Sequence, residues 1–243
     1  MATKFKKAMI IGASSGIGRE VARQLAKSGC KVAAIARRKD KLDELATEFP
    51  GQILPYAHDV KRFDDVPALF QQIARDLDGL DLVIYCSGIM PDVAPDEFHF
   101  KKDQEIIEIN LLGAMAWIDQ AAIRFEHTVR GTIVAIGSTA GERGRASFPA
   151  YSTSKAALKA YLEALRNRLT TKGVTVTTIK PGPVQTDMIV GASTKGAMPV
   201  ESAAEKIIKL APKGGEHFLK ITHAIIFWGI RNTPSFLFRR LKL

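Results

Sequence analysis

Cysteine is scarce in this sequence, and the patterns of several functional classes are missing. Two cysteines, Cys30 and Cys86, occur among 243 residues, and both lie in apolar stretches. We expect small buried thiols in a reducing compartment and no metal site. Zinc-finger spacing, an aromatic-rich RNA motif and a basic recognition helix are all absent, so nucleic acid is not an expected partner.

Long uncharged apolar runs are missing as well. No stretch of about 18 such residues is available to span a bilayer. The stretch "MATKFKKAMIIGASS" at the N-terminus contains an apolar run that is shorter than that of a signal peptide. We therefore expect a soluble, cytoplasmic protein.

Acidic residues are scarce near the C-terminus. The formal net charge is +10, and half of this excess lies in residues 213–243, where Glu216 is the one acid. The same segment is strongly apolar at 225–228 ("IIFW") and at 236–238 ("FLF"). Two interpretations stay open. The segment packs on its own or a second subunit, or it makes a peripheral contact with an anionic membrane.

The chain does contain a regular alternation of short apolar runs and longer segments with helical periodicity. The runs are apolar throughout, which is typical of parallel strands buried on both faces. Strands are predicted at 7–11, 31–36, 53–57, 81–86, 131–137, 174–179 and 217–222, and helices at 17–28, 39–48, 63–77, 103–128, 150–172 and 201–210, with a last apolar helix ending near 230. The pattern predicts an α/β fold in a single domain over residues 1–243, with a Rossmann-type, doubly wound parallel sheet of about seven strands and helices on both faces.

A glycine-rich turn follows the first predicted strand. In "GASSGIGREV" the glycines have the spacing G-x-x-x-G-x-G, a variant of the dinucleotide-binding fingerprint. Gly12 permits the tight turn, Gly16 lets the backbone approach a pyrophosphate, and Gly18 allows close helix packing. The cofactor contacts expected here are Gly12, Ser14, Ser15, Gly16, Ile17 and Gly18.

The end of the second predicted strand indicates which dinucleotide would bind. An acid there would bind the ribose hydroxyls of NAD, but the sequence has Ala36 followed by Arg37 and Arg38. Guanidinium groups match a phosphate, so NADP(H) is the expected cofactor, with Arg37 ahead of Arg38 as the contact to its 2′-phosphate. A solvated basic loop is the alternative. Asp59 and Val60, after the third predicted strand, are expected at the adenine.

Polar residues at defined spacings follow in the rest of the chain. They are Asn110 in "IEINLLGA", Ser138 in "IGSTAG", Tyr151 and Lys155 in "YSTSK", and the segment "PGPVQT" at 181–186. Together with the glycine turn, this pattern resembles the short-chain dehydrogenase/reductase family in its single-domain branch, from about residue 7 to residue 187. Each motif is short, but their order and spacing together are specific.

The resemblance implies a catalytic site formed by Asn110, Ser138, Tyr151 and Lys155. Tyr151 would exchange a proton with the oxygen of a carbonyl or alcohol, and Ser138 would hold that oxygen. The Lys155 ammonium would lower the pKa of the Tyr151 phenol and hold the nicotinamide ribose. Asn110 would anchor a water for proton relay. The further cofactor contacts that the resemblance implies are Gly88, Pro181, Gly182, Val184 and Thr186.

The expected function is therefore that of an NADP(H)-dependent oxidoreductase interconverting a carbonyl and a primary or secondary alcohol by hydride transfer. Three alternatives stay open: a cofactor-retaining epimerase, an NADP(H)-binding protein without turnover, and a peripheral membrane protein. A substrate lid is expected at 186–200. It is poor in charge and carries Met188, Ile189 and Val190, which favours an apolar substrate. The resemblance also implies a homodimer or homotetramer.

Two segments depart from the family pattern. The family usually has Asn-Asn-Ala-Gly after the fourth strand, whereas this chain has "YCSG" at 85–88. Gly88 keeps the close approach to a cofactor, but Tyr85 and Cys86 cannot supply the amide contacts that brace the central strands. That brace must be replaced or absent. The second departure is the C-terminal extension at 223–243.

Overall fold

Seven parallel strands form the centre of the fold in the computed structural model, which describes residues 5–94, 96–189 and 196–240. In chain order they are β1 (Lys7–Ile11), β2 (Lys31–Ala36), β3 (Ile53–Ala57), β4 (Leu82–Tyr85), β5 (Gly131–Ile136), β6 (Val174–Lys180) and β7 (Gly215–Phe218). Their order across the sheet is β3-β2-β1-β4-β5-β6-β7, and every neighbouring pair is parallel. The predicted Rossmann-type α/β fold is confirmed.

Helices cover both faces of the sheet because the strands present apolar side chains to both sides. They are α1 (Gly16–Lys27), α2 (Lys39–Glu48), α3 (Val66–Asp76), α4 (Phe100–Ile107), α5 (Gly113–Thr128), α6 (Pro149–Leu169), α7 (Val200–Leu210), α8 (Ile221–Asn232) and α9 (Ser235–Phe238). Along β1, Ile10 belongs to a core that includes α1, α2 and α7. Met9 and Ile11 belong to a second core with α3, α5 and α6. This alternation is the two-residue period of a strand buried on both faces.

The sheet reverses its order at β1. Strands β2 and β3 lie on one side of β1, and β4 to β7 lie on the other. Ile11, the last residue of β1, pairs with Ile35 of β2 and with Tyr85 of β4. The chain segments that leave these strands therefore run to opposite sides, and in sheets of this type a ligand crevice opens at that point.

The last strand is displaced from its predicted position. The sequence predicts it at 217–222, but β7 is Gly215–Phe218 and α8 already begins at Ile221. Residues Thr177–Lys180 of β6 pair with all four residues of β7. Pairing with the neighbouring strand, rather than apolar content, fixes the extent of this edge strand, so the prediction based on apolar content was wrong there.

The helix predicted at 103–128 begins at Phe100 and changes pitch on the way. Between α4 and α5 lies a π-helical segment, Glu108–Leu112. By length and a mean hydropathy of 1.3, Phe100–Thr128 could cross a membrane, but half of its apolar stretch is buried inside the protein. Trp117 and Phe125 are fully buried in the core beside the sheet. A core helix meets the same criteria, so no membrane span follows.

Candidate active site

The turn between β1 and α1 leaves no room for a side chain at two of its glycines. A Cβ at Gly12 would lie 2.6 Å from the backbone nitrogen of Ser87, and a Cβ at Gly18 would lie 2.2 Å from the carbonyl oxygen of Gly12. The φ angles of Gly12 and Gly16 are +94° and +53°, in the region that favours glycine. The glycines therefore determine the shape of this turn.

The N-terminus of α1 can accept an anion. Ser15 is its N-cap residue, but the Ser15 side chain makes no capping hydrogen bond, and the first turn contains no acid. The first backbone N–H groups and the positive end of the helix dipole are thus available. Ser14, Ser15, Ile17 and the three glycines line one cavity. This cradle fits the pyrophosphate of a dinucleotide.

Two arginines border the phosphate cradle from the end of β2. Arg38 donates from Nη2 to the hydroxyl oxygens of Ser15 at 2.6 Å and Ser14 at 3.0 Å. Arg37 is exposed, and both arginines line the cavity beside the nearly buried Ala36. The hydroxyl groups of Ser14 and Ser15 therefore hold Arg38 at the cradle. The sequence did not indicate this contact.

The two residues predicted at the adenine differ in their placement. Val60 is buried and lines the cavity, whereas Asp59 is not among the described residues that line it. The Asp59 carboxylate instead accepts a hydrogen bond from the backbone nitrogen of Lys61 at 3.0 Å. Asp commonly makes this local contact two residues along a turn. The structure brings Val60 to the cavity and gives Asp59 a role in the turn.

Asn110 lies in the π-helical segment and holds the chain that follows β4. Its Oδ1 accepts from the backbone nitrogen of Ile89 at 2.8 Å, and its Nδ2 donates to the Ile89 carbonyl at 3.0 Å and to Ser154 Oγ at 3.2 Å. Beside this pair, a Cβ at Gly88 would lie 3.3 Å from Asn110 Oδ1 and 3.4 Å from Lys155 Nζ. Asn110 therefore positions the backbone at Gly88 next to Lys155.

Tyr85 braces the central strands in place of the amides that the family usually has at this position. Its hydroxyl donates to the backbone carbonyl of Ile109 at 2.5 Å, and the side chain is buried. Ile109 is the neighbour of Asn110 in the π-helical segment. A phenol thus ties the end of β4 to that segment, and the central strands are braced without the family's amides.

The two cysteines are packing residues. Cys30 is buried and Cys86 is partly buried against the same core, and both thiols are free. Burial raises the pKa of each thiol to about 12. Neither is a reactive thiolate at neutral pH. Cys30 is therefore a small buried thiol as expected, whereas Cys86 is only partly buried and also lines the cavity.

Three polar side chains meet at the end of the cavity away from Arg37 and Arg38. They are Ser138, Tyr151 and Lys155. Ser138 follows β5 and caps the next turn, where its Oγ accepts from the backbone nitrogen of Ala140 at 3.0 Å. Tyr151 and Lys155 lie one turn apart near the start of α6, and both are buried. The Lys155 Nζ is 5.7 Å from the Tyr151 ring centre and donates to the Ile136 carbonyl at 3.0 Å.

The electrostatics of Tyr151 differ from the expectation. Burial raises the pKa of the Tyr151 phenol, while a hydrogen bond with Ser138 and the charge of Arg145 act to lower it. The Lys155 ammonium donates to the Ile136 carbonyl at 3.0 Å, and its Nζ lies 5.7 Å from the Tyr151 ring centre. Burial lowers the pKa of Lys155 to about 8. In this structure the cation acting on Tyr151 is Arg145.

One cavity of about 690 Å³ connects the phosphate cradle to Tyr151. It is lined by residues from the ends of β1, β2, β4, β5 and β6, as the topology requires. Its lining includes Gly88, Ser138, Tyr151 and Lys155 and, after β6, Pro181, Gly182, Val184, Thr186 and Met188. Asn110 supports the lining from behind. The expected lid at 186–200 is only partly seen, since the side chain of Ile189 and residues 190–195, Val190 among them, lie outside the described part.

The roof of the cavity comes from residues that sequence reasoning missed. Helix α8 contributes His223, Ile226 and Phe227, and the segment before α6 contributes Arg145 and Phe148. The His223 ring packs directly on Gly182, where an added Cβ would lie 2.1 Å from His223 Cε1. The apolar content of the C-terminal segment was a signal, but its place over the cavity was not readable from the sequence.

Two side chains of the segment after β5, Arg143 and Glu142, hold this roof in place. Arg143 donates to the backbone carbonyls of Ile230, at 2.9 Å, and Thr233. Arg231 of α8 pairs with the buried carboxylate of Glu142 at 2.9 Å. Glu142 also pairs with Lys180 of β6 at 2.7 Å. The C-terminal helices therefore pack on their own subunit.

Fold and site together are those of an α/β protein with a dinucleotide-type crevice at the carboxyl ends of its strands. A family model described as short chain dehydrogenase matches residues 6–196. The chain belongs to the short-chain dehydrogenase family and is an oxidoreductase of that family.

Individual relatives agree with this assignment. An uncharacterized oxidoreductase of Myxococcus xanthus is 32% identical over 213 residues, which are 86% of this chain and 83% of the relative. Carbonyl reductase family member 4 of Danio rerio is 29% identical over 192 residues, with 79% and 81% covered. A solved structure described as ElxO with NADP bound superposes with a TM-score of 0.82 at 20% identity, and covers 91% of this chain and 99% of that one. At that identity the structural likeness concerns the fold.

Proposed function

We propose that the protein is an NADP(H)-dependent reductase or dehydrogenase that interconverts a carbonyl group and a primary or secondary alcohol. The observation that carries the proposal is the single cavity with Arg37 and Arg38 at one end and Ser138, Tyr151 and Lys155 at the other. The relative named as a carbonyl reductase and the NADP in the similar structure support the same reaction and cofactor.

The cofactor end of the cavity supports NADP(H) rather than NAD(H). The cradle would hold the pyrophosphate through the N-terminus of α1. Arg38 is oriented by Ser14 and Ser15, and no acid takes the place of Ala36 at the end of β2. Guanidinium donors without a nearby acid favour a phosphate over free ribose hydroxyls.

The side chains at the other end can hold and move a proton. NADPH, when bound, would supply the hydride. The Tyr151 hydroxyl would donate its proton to the carbonyl oxygen of the substrate, or accept one from an alcohol in reverse. Ser138 Oγ accepts from Ala140, so its O–H, which bonds to Tyr151 in this structure, can turn to donate to that oxygen. Lys155 uses one of its three N–H groups on Ile136, and two remain for ribose hydroxyls.

The cofactor is tested by titrating the protein with NADPH and with NADH, followed by nicotinamide fluorescence. We expect NADPH to bind more tightly, and Arg38→Ala to weaken NADPH about tenfold while NADH stays unchanged. Lys39→Ala is the matched control, because Lys39 is an exposed neighbouring cation that pairs with Asp43 at 2.5 Å. Equal affinity for both cofactors in the wild type would contradict the NADP(H) assignment.

Turnover is tested with a panel of ketones and aldehydes in the presence of NADPH. Oxidation of NADPH that depends on the carbonyl compound supports the reductase. Tight NADPH binding without turnover of any member, or of the corresponding alcohols with NADP⁺, would favour a binding protein instead. A cytoplasmic location and a homodimer or homotetramer remain part of the proposal.

The outer face of the C-terminal helices supports a second proposal, a peripheral contact with an anionic membrane. Ile221, Ile225, Trp228 and Phe236 are more than half exposed there. The neighbouring Arg239 and Arg240 provide charges complementary to lipid head groups. Co-sedimentation with phosphatidylserine vesicles, but not with phosphatidylcholine vesicles, is the expected result. A stable dimer that Trp228→Glu dissociates, with no vesicle binding, would assign this face to a second subunit.

A further inference from the structure

Arg145 lies at the reacting end of the cavity. It belongs to the segment between Ser138 and Tyr151 and lines the cavity together with both. Its guanidinium carbon is 5.4 Å from the centre of the Phe227 ring in α8. The side chain is therefore beside the group proposed to exchange a proton with the substrate.

The guanidinium of Arg145 makes no hydrogen bond or ion pair with residues 5–94, 96–189 or 196–240. The side chain is partly buried, and burial lowers its pKa from the usual value. A guanidinium carries five N–H donors, and leaving them unpaired away from water is unfavourable. The Phe227 ring does not accept hydrogen bonds from the N–H groups at the edge of the guanidinium, as a carboxylate would. These N–H groups are therefore available to a ligand.

Arg143, two residues earlier, shows the contrast with an arginine used for structure. It donates to Ile230, Thr233 and Ser235, and its guanidinium carbon is 4.1 Å from the centre of the Phe238 ring. Its donors are used to hold α8 and α9. Within the described chain, Arg145 makes the ring contact and none of these hydrogen bonds.

The charges around the cavity favour an anion at Arg145. Among the described residues that line the cavity, Asp187 is the one carboxylate, and it is exposed. Arg37 and Arg38 border the phosphate cradle, and Lys155 is bonded to the backbone. Arg145 is thus the cation left for the substrate, in surroundings that Phe148, Ile226 and Phe227 make apolar.

We infer that Arg145 binds a carboxylate of the substrate, so that the preferred substrates are oxo acids with an apolar body. The inference rests on the proposed function and names the substrate class of the same site. It replaces the wholly apolar substrate that the lid sequence favoured. A guanidinium that binds a carboxylate at one end of the substrate would also orient the carbonyl at the other end towards Tyr151.

The test compares aliphatic and aromatic oxo acids, each with its own neutral amide. For every pair, kcat/KM with NADPH and the affinity measured by titration calorimetry are determined. The wild type is expected to prefer the better acids over their amides about tenfold or more. Arg145→Gln should remove this preference. Loss of the Arg145 charge beside Tyr151 changes kcat for acid and amide alike and cancels in their ratio. Arg130→Gln is the matched control, because exposed Arg130 precedes the other end of β5, the strand that leads to Ser138.

Each alternative outcome has a distinct meaning. If no acid binds better than its amide, or if Arg145→Gln keeps the preference, the inference is overturned. A loss of kcat for acids and amides alike, with the preference for the acids retained, would limit Arg145 to its effect on Tyr151 and would also overturn the inference. If NADPH does not bind, or no pair is turned over, the proposed function fails. The calorimetric affinities of the acids and amides still decide the role of Arg145 in that case.

Discussion

The two ends of the cavity are built in different ways. At the cofactor end the decisive positions are backbone positions, because the cradle is formed by Gly12, Gly16 and Gly18 and by the N-terminus of α1. At the reacting end they are side chains that come from α6, α8 and the segment between β5 and α6. A backbone cradle does not tolerate an added atom. A pocket made of side chains can be changed one residue at a time, and this difference can be tested at both ends.

The largest effect is expected at the reacting end, on removal of one hydroxyl. Tyr151→Phe keeps the buried ring but takes away the proton donor, so kcat should fall about 10²–10⁴-fold. The NADPH dissociation constant should stay the same in a fluorescence titration. Tyr161→Phe is the control on the same helix, because the Tyr161 hydroxyl bonds to Asp119 outside the cavity. Full activity of Tyr151→Phe would show that the proton comes from another group.

The next effect concerns the attachment of the roof. Glu142→Gln removes the carboxylate shared by Arg231 and the buried Lys180, while Glu216 stays paired with Lys180. We expect a loss of about 2–3 kcal/mol in unfolding free energy. Thermal and urea unfolding would measure it. Arg62→Gln, which removes an exposed pair with Asp65, is the control and should change little.

The pH dependence of the same carboxylate has a defined sign. Burial raises the pKa of Glu142, but the hydrogen bonds and charges of Lys180, Lys159 and Arg231 outweigh it, so the net pKa is lowered from 4.5. Because the folded pKa lies below the unfolded one, this stabilisation is present above about pH 4.5 and is lost as the pH falls through the folded value. Glu142→Gln should therefore show a weaker loss of stability in acid than the wild type. Parallel curves would contradict this.

At the cofactor end we expect that one added methyl group is enough to disrupt the phosphate cradle. Gly18→Ala places a Cβ against the backbone of Gly12, and we expect a loss of about 1–3 kcal/mol in stability together with weaker NADPH binding. Gly229→Ala is the matched control. Nothing lies within 4 Å of its added Cβ, and alanine in a helix should stabilise by up to about 1 kcal/mol. Normal NADPH affinity in Gly18→Ala would show that the cradle can relax.

The smallest effect is expected at Tyr85, which lies between the two ends of the cavity. Tyr85→Phe leaves the buried carbonyl of Ile109 without its donor, which should cost about 1–2 kcal/mol of stability. Urea unfolding would measure this, and a reduced kcat at unchanged NADPH affinity would indicate that Asn110 has shifted. Tyr56→Phe, which removes a hydroxyl from a partly exposed contact with Asp76, is the control. An unchanged stability would mean that Tyr85 is not the brace.

The difference between the two ends also explains what the sequence could predict. The glycine turn, the strand ends and the pair Tyr151 and Lys155 are local patterns, with spacings set by the geometry of a turn, a strand or a helix. The roof is not local, since Arg143 and Glu142 meet partners about ninety residues further along the chain. Such contacts depend on tertiary packing.

Two details of the site were inaccessible for a similar reason. The sequence places Lys155 beside Tyr151 on one helix face, but it does not show that the Lys155 ammonium also bonds to Ile136 of a strand. Asp59 was expected at the adenine from its place after β3, but a turn contact two residues away takes its carboxylate. Spacing fixes which residues are near each other and leaves the choice of hydrogen-bond partner to packing.

The roof has a consequence for the order in which the protein is made. Helix α8 follows β7, the last strand of the sheet, so the ribosome synthesises the phosphate cradle some two hundred residues before the residues that cover the reacting end. A nascent chain that has already exposed its cradle still lacks His223, Ile226 and Phe227. The pocket for the second reactant is therefore completed after the cradle, and the cavity stays open until α8 has emerged and docked.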